Sequence, residues 1–310
     1  MLYFGLDIGG TKIELVACDA QLDVVHRQRI ATPTENFEAF VDQIGLLVQD
    51  AETHLARSAT AVGLGMPGIV DPVSGCQLSS NVPALNGRRV APALAQRLGR
   101  AVYVGNDCHC FALSEAQGGA ADGLPSMFGA ILGTGAGGGF CSAGRLVAGY
   151  NGLAGEWGHW PVSAELLQRY GLPLLDCPCG LRGCLERYVS GSGLVAVYRH
   201  LAGPRGAPVA DAAAVHACAA AGDAQAREAL AMHLDLLAQG LAGLVLALDP
   251  HAIVLGGGLS KLQRLYAELP AAIARHLFRS TRVPPVLPPR FGDAGGARGA
   301  ALLARQRHAG

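Results

Sequence analysis

One histidine and three cysteines are spaced so that they can hold a metal ion. His159 lies in the segment GEWGH, and Cys177, Cys179 and Cys184 follow in the segment CPCGLRGCLE. An imidazole nitrogen and three thiolates are a ligand set that tetrahedral zinc takes in structural sites. The sequence therefore predicts a structural zinc ion, with buried or incidental thiols as the alternative. The closest pair is Cys-x-Cys, which is not the Cys-x-x-Cys of a thioredoxin-like redox motif.

Two acidic side chains flank this predicted metal array. Glu156 precedes His159 by three residues, and Glu186 follows Cys184 by two. A metal ion bound by the array would close the intervening loop. We therefore expect zinc to hold Glu156, His159 and Glu186 at a substrate site.

A glycine turn near the start of the chain has the composition of a phosphate-binding turn. The segment LYFGLDIGGTKIELVAC reads as a strand, a turn and a second strand. Backbone N–H groups of Gly9, Gly10 and Thr11 can approach an anion without an intervening side chain, and Lys12 adds positive charge. The segment thus predicts either a phosphate-facing turn or an ordinary β-hairpin.

The same pattern recurs in the middle of the chain. In the segment FGAILGTGAGGGFCSAG, Phe128 corresponds to Phe4 and Gly133 corresponds to Gly9. This segment again reads as a strand, a glycine turn and a strand. The recurrence predicts a duplicated architecture in which each half offers a phosphate-binding hairpin.

Asp107 lies where a predicted strand gives way to a predicted helix. The segment AVYVGNDCHCFALSEA suggests a strand over 101–104 and a helix from about 108 to 116, which places Asp107 at the helix N-cap. Aspartate is common at N-caps for hydrogen-bonding reasons alone, yet open α/β folds place their chemistry beyond the carboxyl ends of strands. Asn81, in a polar loop, is either a turn residue or a hydroxyl-binding one.

Composition excludes several classes of protein. Of 310 residues, half are hydrophobic, and 24 Lys and Arg balance 24 Asp and Glu. A neutral chain is not expected to bind nucleic acid or membrane surfaces in general. Nine cysteines, an odd number, favour a reducing compartment. The N-terminal residues lack a basic leader, and the apolar run LAGLVLAL is too short to span a bilayer. We expect a soluble cytoplasmic protein.

The rest of the chain alternates helical and strand patterns. Apolar periodicity predicts helices over about 36–57, 186–200, 211–219 and 223–248, and buried strands over 61–70 and 253–260. The small-residue run GDAGGARGAALLA predicts a turn and a closing helix, in which close packing explains the Gly and Ala residues. The fold class is therefore α/β.

Taken together, these motifs resemble the ROK family of sugar kinases, within the larger group that shares the actin-like and hexokinase-like ATPase fold. The resemblance rests on LDIGGTK, GND, LGTGAGGG, GEWGH, CPCGLRGCLE and LGGGLS, which span nearly the whole chain in the family's order. NVPALNG, NDCHCFALSEA and GDAGGARGAA resemble the bacterial N-acetylglucosamine kinases of that family. Trp157 replaces the phenylalanine that is more usual at its position.

The resemblance implies a fold, an activity and a role for each motif. It implies two duplicated α/β domains with a cleft between them, a smaller one at 1–117 plus 293–310 and a larger one at 118–292. It implies ATP- and Mg²⁺-dependent phosphorylation of N-acetyl-D-glucosamine at the 6-hydroxyl, with Asp107 as general base. Sugar hydroxyls would contact Asn81, Asn106, Asp107, Glu156, His159 and Glu186. The nucleotide and its Mg²⁺ would contact Asp7, Gly9, Gly10, Thr11, Lys12, Thr134, Gly135, Gly137, Gly138, Gly256 and Gly257. Such kinases are commonly homodimers.

Other functions remain to be weighed against this one. A glucokinase, fructokinase or N-acetylmannosamine kinase of the same family has nearly the same motifs. A sugar-responsive transcriptional regulator of the family would need a winged helix, which we do not expect because the first core strand begins close to Met1. A catalytically inactive sugar-binding protein is disfavoured because Asp7, Asp107 and both glycine turns are present. A chaperone-type ATPase would lack the sugar-side histidine and the zinc array.

Overall fold

The computed structural model describes residues 1–78, 82–292 and 295–309, and they form a mixed α/β fold. This confirms the predicted fold class. The strands are β1 (Tyr3–Ile8), β2 (Lys12–Cys18), β3 (Val24–Ala31), β4 (Ala61–Met66), β5 (Ile69–Val70), β6 (Gln77–Leu78), β7 (Val102–Asn106), β8 (Ser126–Leu132), β9 (Ala136–Ser142), β10 (Arg145–Val147), β11 (Ile253–Gly256) and β12 (Val286–Leu287). The helices are α1 (Phe37–Leu55), α2 (Val90–Leu98), α3 (Asp107–Ala116), α4 (Ala164–Tyr170), α5 (Glu186–Val189), α6 (Gly191–Ala202), α7 (Ala212–Ala220), α8 (Ala224–Leu248), α9 (Gln263–Ala274) and α10 (Gly295–His308).

The chain divides into two compact units. The first comprises 1–123, 139–154 and 290–310, and the second comprises 124–138 and 155–289. The division into functional domains at 117 and 293 stays a prediction.

The sheet of the first unit has the strand order β3-β2-β1-β4-β7. β1 and β2 form an antiparallel hairpin, as the glycine turn between them predicts. β4 pairs in parallel with β1 and with β7. Side chains alternate between the two faces, so that Phe4 and Leu6 pack with α1 while Tyr3 and Val16 pack with α10. The parallel order brings the carboxyl ends of β1, β4 and β7 to one edge of the sheet.

Helix α10 packs directly on this sheet because small residues remove the side chains that would separate them. A Cβ atom at Gly5 would lie 1.9 Å from the Ala297 carbonyl oxygen, and one at Gly63 would lie 1.8 Å from the Ala300 carbonyl oxygen. On the helix side, a Cβ at Gly299 would meet the backbone of α3. The interpretation of the Gly- and Ala-rich closing segment as a close-packing helix is confirmed.

A second five-stranded sheet has the order β10-β9-β8-β11-β12. β8 pairs in parallel with β11, and β11 pairs in parallel with β12. The glycine turn predicted around Gly133 connects β8 to β9. The recurrence of strand, glycine turn and strand in the two halves is therefore real at the level of structure.

Helix α8 is the one helix within the described residues that is long and apolar enough to cross a membrane by length and composition. Of its most apolar window, 72% is buried inside the protein. Buried side chains such as Leu236, Leu237 and Leu241 account for that apolar character. We therefore describe α8 as a core helix of the second unit.

Two local predictions need correction, and one strand was not predicted. The unpredicted strand is β3, whose outward positions carry polar and charged side chains. The helix predicted over 186–200 is broken at Ser190, which caps α6 by accepting a hydrogen bond from the Gly193 N–H. The N-cap of α3 is Asn106, and Asp107 is the first helical residue.

Candidate functional site

The four predicted metal ligands come together in the second unit. The ligand atoms of His159, Cys177, Cys179 and Cys184 all lie within 4.8 Å of one another. Cys177 Sγ is 3.9 Å from His159 Nδ1, and Cys179 Sγ is 3.6 Å from Cys184 Sγ. Because zinc–sulfur bonds are about 2.3 Å long, tetrahedral ligands are separated by roughly 3.8 Å. The residues present fit a zinc ion.

Backbone hydrogen bonds within the loop fix the positions of these ligands. The Cys177 N–H donates to the Leu181 carbonyl at 2.9 Å, and the Gly180 N–H donates to the Cys177 carbonyl at 3.0 Å. Gly180 has φ of 89° and Gly183 has φ of 72°, in the left-handed region that favours glycine. The turn between the sulfurs thus forms from local sequence.

Of the side chains predicted to bind sugar, Glu156 and Glu186 lie beside the array and His159 belongs to it. His159 Nδ1 faces Cys177, while its Nε2 lies 3.7 Å from Glu156 Oε2. Glu186 Oε1 accepts from Cys177 Sγ at 3.2 Å, and its Oε2 accepts from the Ala136 N–H at 3.3 Å. The arrangement leaves one histidine nitrogen toward the thiols and the other toward a carboxylate.

Trp157 anchors this group to the second sheet. Its side chain is buried, and its Nε1–H donates to the Gly137 carbonyl at 2.8 Å. The next residue must be small, because a Cβ at Gly158 would lie 1.9 Å from the Ala136 carbonyl oxygen. The GEWGH segment is therefore held against the start of β9.

The turn between β8 and β9 is fixed by the N-terminus of α6. The Gly133 N–H donates to the Gly135 carbonyl at 3.0 Å, and the Gly191 N–H donates to the Gly133 carbonyl at 2.8 Å. The Ser192 hydroxyl donates to the Thr134 carbonyl. A Cβ at Gly135 would lie 2.7 Å from Glu186 Oε2, so the glycine there permits the close approach of that carboxylate.

Other glycines of the predicted nucleotide set also have packing roles. A Cβ at Gly138 would lie 2.5 Å from the ring of Phe128. Gly257 has φ of 75°, and a Cβ there would lie 2.6 Å from the Leu132 backbone. Gly256 ends β11. Packing alone therefore explains Gly138 and Gly257, and contact of these residues with a nucleotide stays a prediction.

A cavity of about 780 Å³ opens beside this turn in the second unit. It is lined by Gly133 and Thr134, by the start of α6, by 210–213 and by Gly258, Leu259, Lys261 and Leu262. Its volume is in the range of cofactor-binding pockets. Sequence reasoning missed the α6 contribution, although the segment SGSG at 190–193 carries the signature of a helix N-terminus.

Asp107 and Asn106 lie at the carboxyl end of β7 in the first unit. Asn106 Oδ1 accepts from the Cys108 and His109 N–H groups, and its Nδ2 donates to the Gly68 carbonyl at 3.0 Å. Asp107 Oδ1 accepts from the Cys108 N–H at 2.8 Å. Burial raises the pKa of the Asp107 carboxyl above its ordinary value. A raised pKa makes a carboxylate a stronger base near neutral pH.

His109 has a structural role next to Asp107. Its Nε2 lies 2.7 Å from the Ala154 carbonyl oxygen. Burial lowers the pKa of this imidazole, which keeps the ring neutral. The side chain thus ties α3 to the segment 148–154.

The first glycine turn closes as a tight hairpin. The Gly9 N–H donates to the Lys12 carbonyl at 2.9 Å, and the Thr32 hydroxyl donates to the Gly9 carbonyl at 2.7 Å. Gly10 continues the turn, and Thr11 and Lys12 are exposed. These backbone bonds fix the turn that precedes β2.

Asp7 is near the end of β1, beside the start of α10. A Cβ at Gly296 would lie 2.6 Å from Asp7 Oδ2, so the helix backbone approaches the carboxylate closely. The glycine at this position is required for that approach. Whether Asp7 contacts Mg²⁺, directly or through water, stays a prediction.

A smaller cavity of about 360 Å³ in the first unit is lined by Gly68, Gln77, Asn106, His109 and Asn151, among others. Gln77 is buried, and its Nε2 donates to the Pro67 carbonyl at 2.9 Å. Its buried Oε1 has no hydrogen-bond partner within the described part of the chain. Sequence reasoning gave no sign of Gln77. The predicted sugar ligand Asn81 lies outside the described residues.

Comparison with known proteins shows which family this chain resembles along its whole length. The ROK family profile matches residues 3–307. The chain is 46% identical to N-acetylgalactosamine kinase AgaK from Shewanella sp. strain ANA-3, over 100% of this chain and 98% of that protein. It is 41% identical to N-acetyl-D-glucosamine kinase from Photobacterium profundum, over 97% of this chain and 99% of that protein.

Two solved structures are similar along the whole chain. The ROK hexokinase from Thermus thermophilus superimposes with a TM-score of 0.88 at 32% identity, covering 100% of this chain and 99% of that one. A ROK family glucokinase from Streptomyces griseus, in complex with glucose and AMPPNP, superimposes with a TM-score of 0.77 at 30% identity, covering 99% and 100%. The resemblance drawn from the motifs is confirmed, and this chain belongs to the ROK family.

Proposed function

We propose that this protein is an ATP-dependent sugar kinase that phosphorylates N-acetyl-D-glucosamine at its 6-hydroxyl. The observation that carries the proposal is the match to relatives named N-acetyl-D-glucosamine kinase, at 41% identity over nearly the full length. Asp107, both glycine turns and the Cys/His array are all present. These are the residues that the proposed reaction would use.

Asp107 is the general base in this proposal. Its carboxylate would take the proton of the 6-hydroxyl as that oxygen attacks the γ-phosphorus in line. Burial raises its pKa above the ordinary aspartate value, which strengthens the ionised carboxylate as a base. Proton transfer to a positioned carboxylate typically contributes about 10² to 10⁴ in rate.

The two glycine turns would hold the phosphates of ATP. Thr11 and Thr134 would donate hydroxyls, and Lys12 would add positive charge beside the turn. Asp7 would bind Mg²⁺, directly or through water, and the ion would offset charge on the phosphate oxygens. Support comes from the hydrogen bonds that fix each turn.

Sugar hydroxyls would be bound by Asn81, Asn106, Glu156, His159 and Glu186. Zinc on the Cys/His array would have four protein ligands and would not activate water. Its role would be to fix the ring orientation and tautomer of His159, so that Nε2 faces the substrate. The separation of Nδ1 toward Cys177 and Nε2 toward Glu156 supports this role.

The acetamido group accounts for one feature of the first unit. Gln77 lines the cavity next to Asn106, and its buried Oε1 lacks a donor in the described ranges. A buried acceptor without a partner costs free energy, and the N–H of an acetamido group is a suitable donor. Glucose and fructose lack that N–H, so the feature favours an N-acetylated sugar.

N-acetyl-D-galactosamine is a second candidate substrate. The relative at 46% identity is named for that sugar, which differs from N-acetyl-D-glucosamine in the configuration of one hydroxyl. We expect a cytoplasmic homodimer in either case, which size-exclusion chromatography with light scattering would test.

The test is a coupled assay of ADP release with ATP and Mg²⁺. The panel comprises N-acetyl-D-glucosamine, N-acetyl-D-galactosamine, N-acetylmannosamine, glucose and fructose. The proposal expects the highest kcat/KM with N-acetyl-D-glucosamine. A higher value with N-acetyl-D-galactosamine would transfer the assignment to the second candidate, and a lead for glucose or fructose would refute the reasoning from Gln77.

A further inference from the structure

The cavity of about 780 Å³ is lined by both apolar and electropositive groups. Its apolar lining consists of Val195, Ala196, Ala212, Leu259 and Leu262. Such side chains can pack against a flat base. The lining also contains the Gly133–Thr134 turn and the first residues of α6, a helix N-terminus whose dipole favours an anion.

Three cationic side chains line this cavity, against one acidic one. They are Arg187, Arg199 and Lys261, and the acid is Asp211. The Asp211 carboxylate already has a hydrogen-bond donor, because it caps α7 by accepting from the Ala214 N–H at 2.8 Å. Arg199 donates from Nη2 to the Val209 carbonyl at 2.9 Å. The cavity is therefore complementary to a ligand with several negative charges.

The hydrogen bonding of Arg187 is incomplete. Its Nε is buried and has no acceptor among the residues that the structure describes. Buried donors in folded proteins are nearly always paired, with protein, water or a ligand. An acceptor supplied by a bound anion would satisfy this one.

The backbone holds Arg187 beside the predicted phosphate turn. Its N–H donates to the Cys184 carbonyl at 3.0 Å, which ties it to the Cys/His array. The preceding residue, Glu186, accepts from the Ala136 N–H next to the turn. Arg187 is thus fixed between the metal array and the turn at Thr134.

We propose that Arg187 binds a phosphate group of the nucleotide through its guanidinium. The proposal rests on the kinase function proposed above and adds a residue that none of its motifs includes. Guanidinium–phosphate hydrogen bonds are charge-assisted and often bidentate. Arg187 therefore contributes to nucleotide affinity and not to the proton transfer.

Isothermal titration calorimetry of the full-length protein tests this role without depending on turnover. Wild type, Arg187→Gln, Arg187→Lys and Arg227→Gln are titrated with ADP in the presence of Mg²⁺, and with adenosine. Arg227 is the matched control because it is exposed on α8 and bonds only the Gly222 carbonyl among the bonds described for it. Comparing ADP with adenosine isolates the phosphate contribution from any change in the shape of the cavity.

We expect Arg187→Gln to raise the Kd for ADP by roughly tenfold or more, as for loss of a charge-assisted bond. Its Kd for adenosine should stay within about twofold of wild type, and Arg187→Lys should fall between the two. An unchanged Kd for ADP in Arg187→Gln, or equal losses for ADP and adenosine, would overturn the assignment. If Arg187→Gln does not fold, the comparison uses Arg187→Lys, and equal affinity there for ADP overturns it.

Failure of the kinase proposal gives a different result. In that case wild type itself would bind neither ADP nor the non-hydrolysable analogue AMPPNP. That result would refute both the kinase function and the role of Arg187. Binding of ADP by wild type with no effect of Arg187→Gln would overturn only the assignment of Arg187.

Discussion

Glu115 is the buried carboxylate on which we expect the stability of the first unit to depend most. Its side chain is fully buried in α3. Oε2 accepts from the Ala120 N–H at 2.8 Å and the Arg290 N–H at 3.0 Å, and Oε1 accepts from the Phe291 N–H at 3.2 Å. One carboxylate therefore binds the backbone at two places where the chain enters or leaves the first unit.

A buried cation near Glu115 increases the free-energy cost of removing that carboxylate. The guanidinium of Arg298 lies over the Phe291 ring at 4.2 Å and donates to the Ser114 and Gln117 carbonyls. Burial lowers the pKa of Arg298, and the charge of Glu115 opposes that shift. Removing the carboxylate leaves this buried charge less well compensated.

The expected loss for Glu115→Ala follows from these contacts. Each buried donor left without an acceptor costs about 1–3 kcal/mol, and breaking a buried charge interaction costs about 3–5 kcal/mol. The two costs overlap, so we expect Glu115→Ala to lower the free energy of unfolding by about 3–5 kcal/mol. A domain of this size loses about 2–4 °C in Tm per kcal/mol, which gives a fall of roughly 6–20 °C.

Thermal and urea unfolding, followed by circular dichroism, measure this loss. Glu165→Ala is the control, because Glu165 is exposed and pairs only with exposed Arg169 among the contacts described. A surface pair of that kind contributes about 0–1 kcal/mol. A fall in Tm for Glu115→Ala no larger than that of the control would refute the reasoning.

Three further predictions follow from the site and the sheet. The proposed mechanism needs the ionised form of Asp107, and burial raises its pKa, so kcat/KM should fall with decreasing pH at a pH above the ordinary aspartate value of 3.8; an acid limb at or below that value contradicts the assignment. Elemental analysis should find about one zinc per chain, lost in Cys184→Ser and kept in Cys218→Ser; equal zinc content in the two variants contradicts the metal site. Gly63→Ala should destabilise the protein by about 3 kcal/mol or more, because its Cβ would lie 1.8 Å from the Ala300 carbonyl oxygen; an unchanged urea midpoint contradicts the packing of α10.

The parts of the fold that could be predicted are those coded by local pattern. The hairpin at Gly9 and the turn at Gly133 combine apolar strands with glycine, and α1 has apolar residues at helical spacing with Asn36 as its cap. β3 was not predicted because its sequence, VVHRQRIA, has polar and charged residues at outward positions. Asn106 and Asp107 are both good capping residues, and the prediction placed the cap at Asp107, one residue after the observed cap at Asn106.

The parts of the candidate site that could be predicted are likewise those formed by local sequence. The metal ligands and Glu186 lie close together in the chain, and their loop geometry follows from local turns. The cavity beside Thr134 could not be predicted, since its walls come from segments as distant in sequence as Gly133, Arg187 and Lys261. Gln77 likewise becomes notable only through its burial and its missing partner.

The central claim is that this protein phosphorylates an N-acetylated hexose with Asp107 as base. The most direct test compares wild type with Asp107→Ala in the ADP-release assay, with N-acetyl-D-glucosamine and Mg²⁺-ATP. The account predicts sugar-dependent release by wild type and a loss of about 10² to 10⁴ in the variant. Sugar-dependent release by the variant at the wild-type rate would contradict the role of Asp107, and no sugar-dependent release by wild type would contradict the kinase itself.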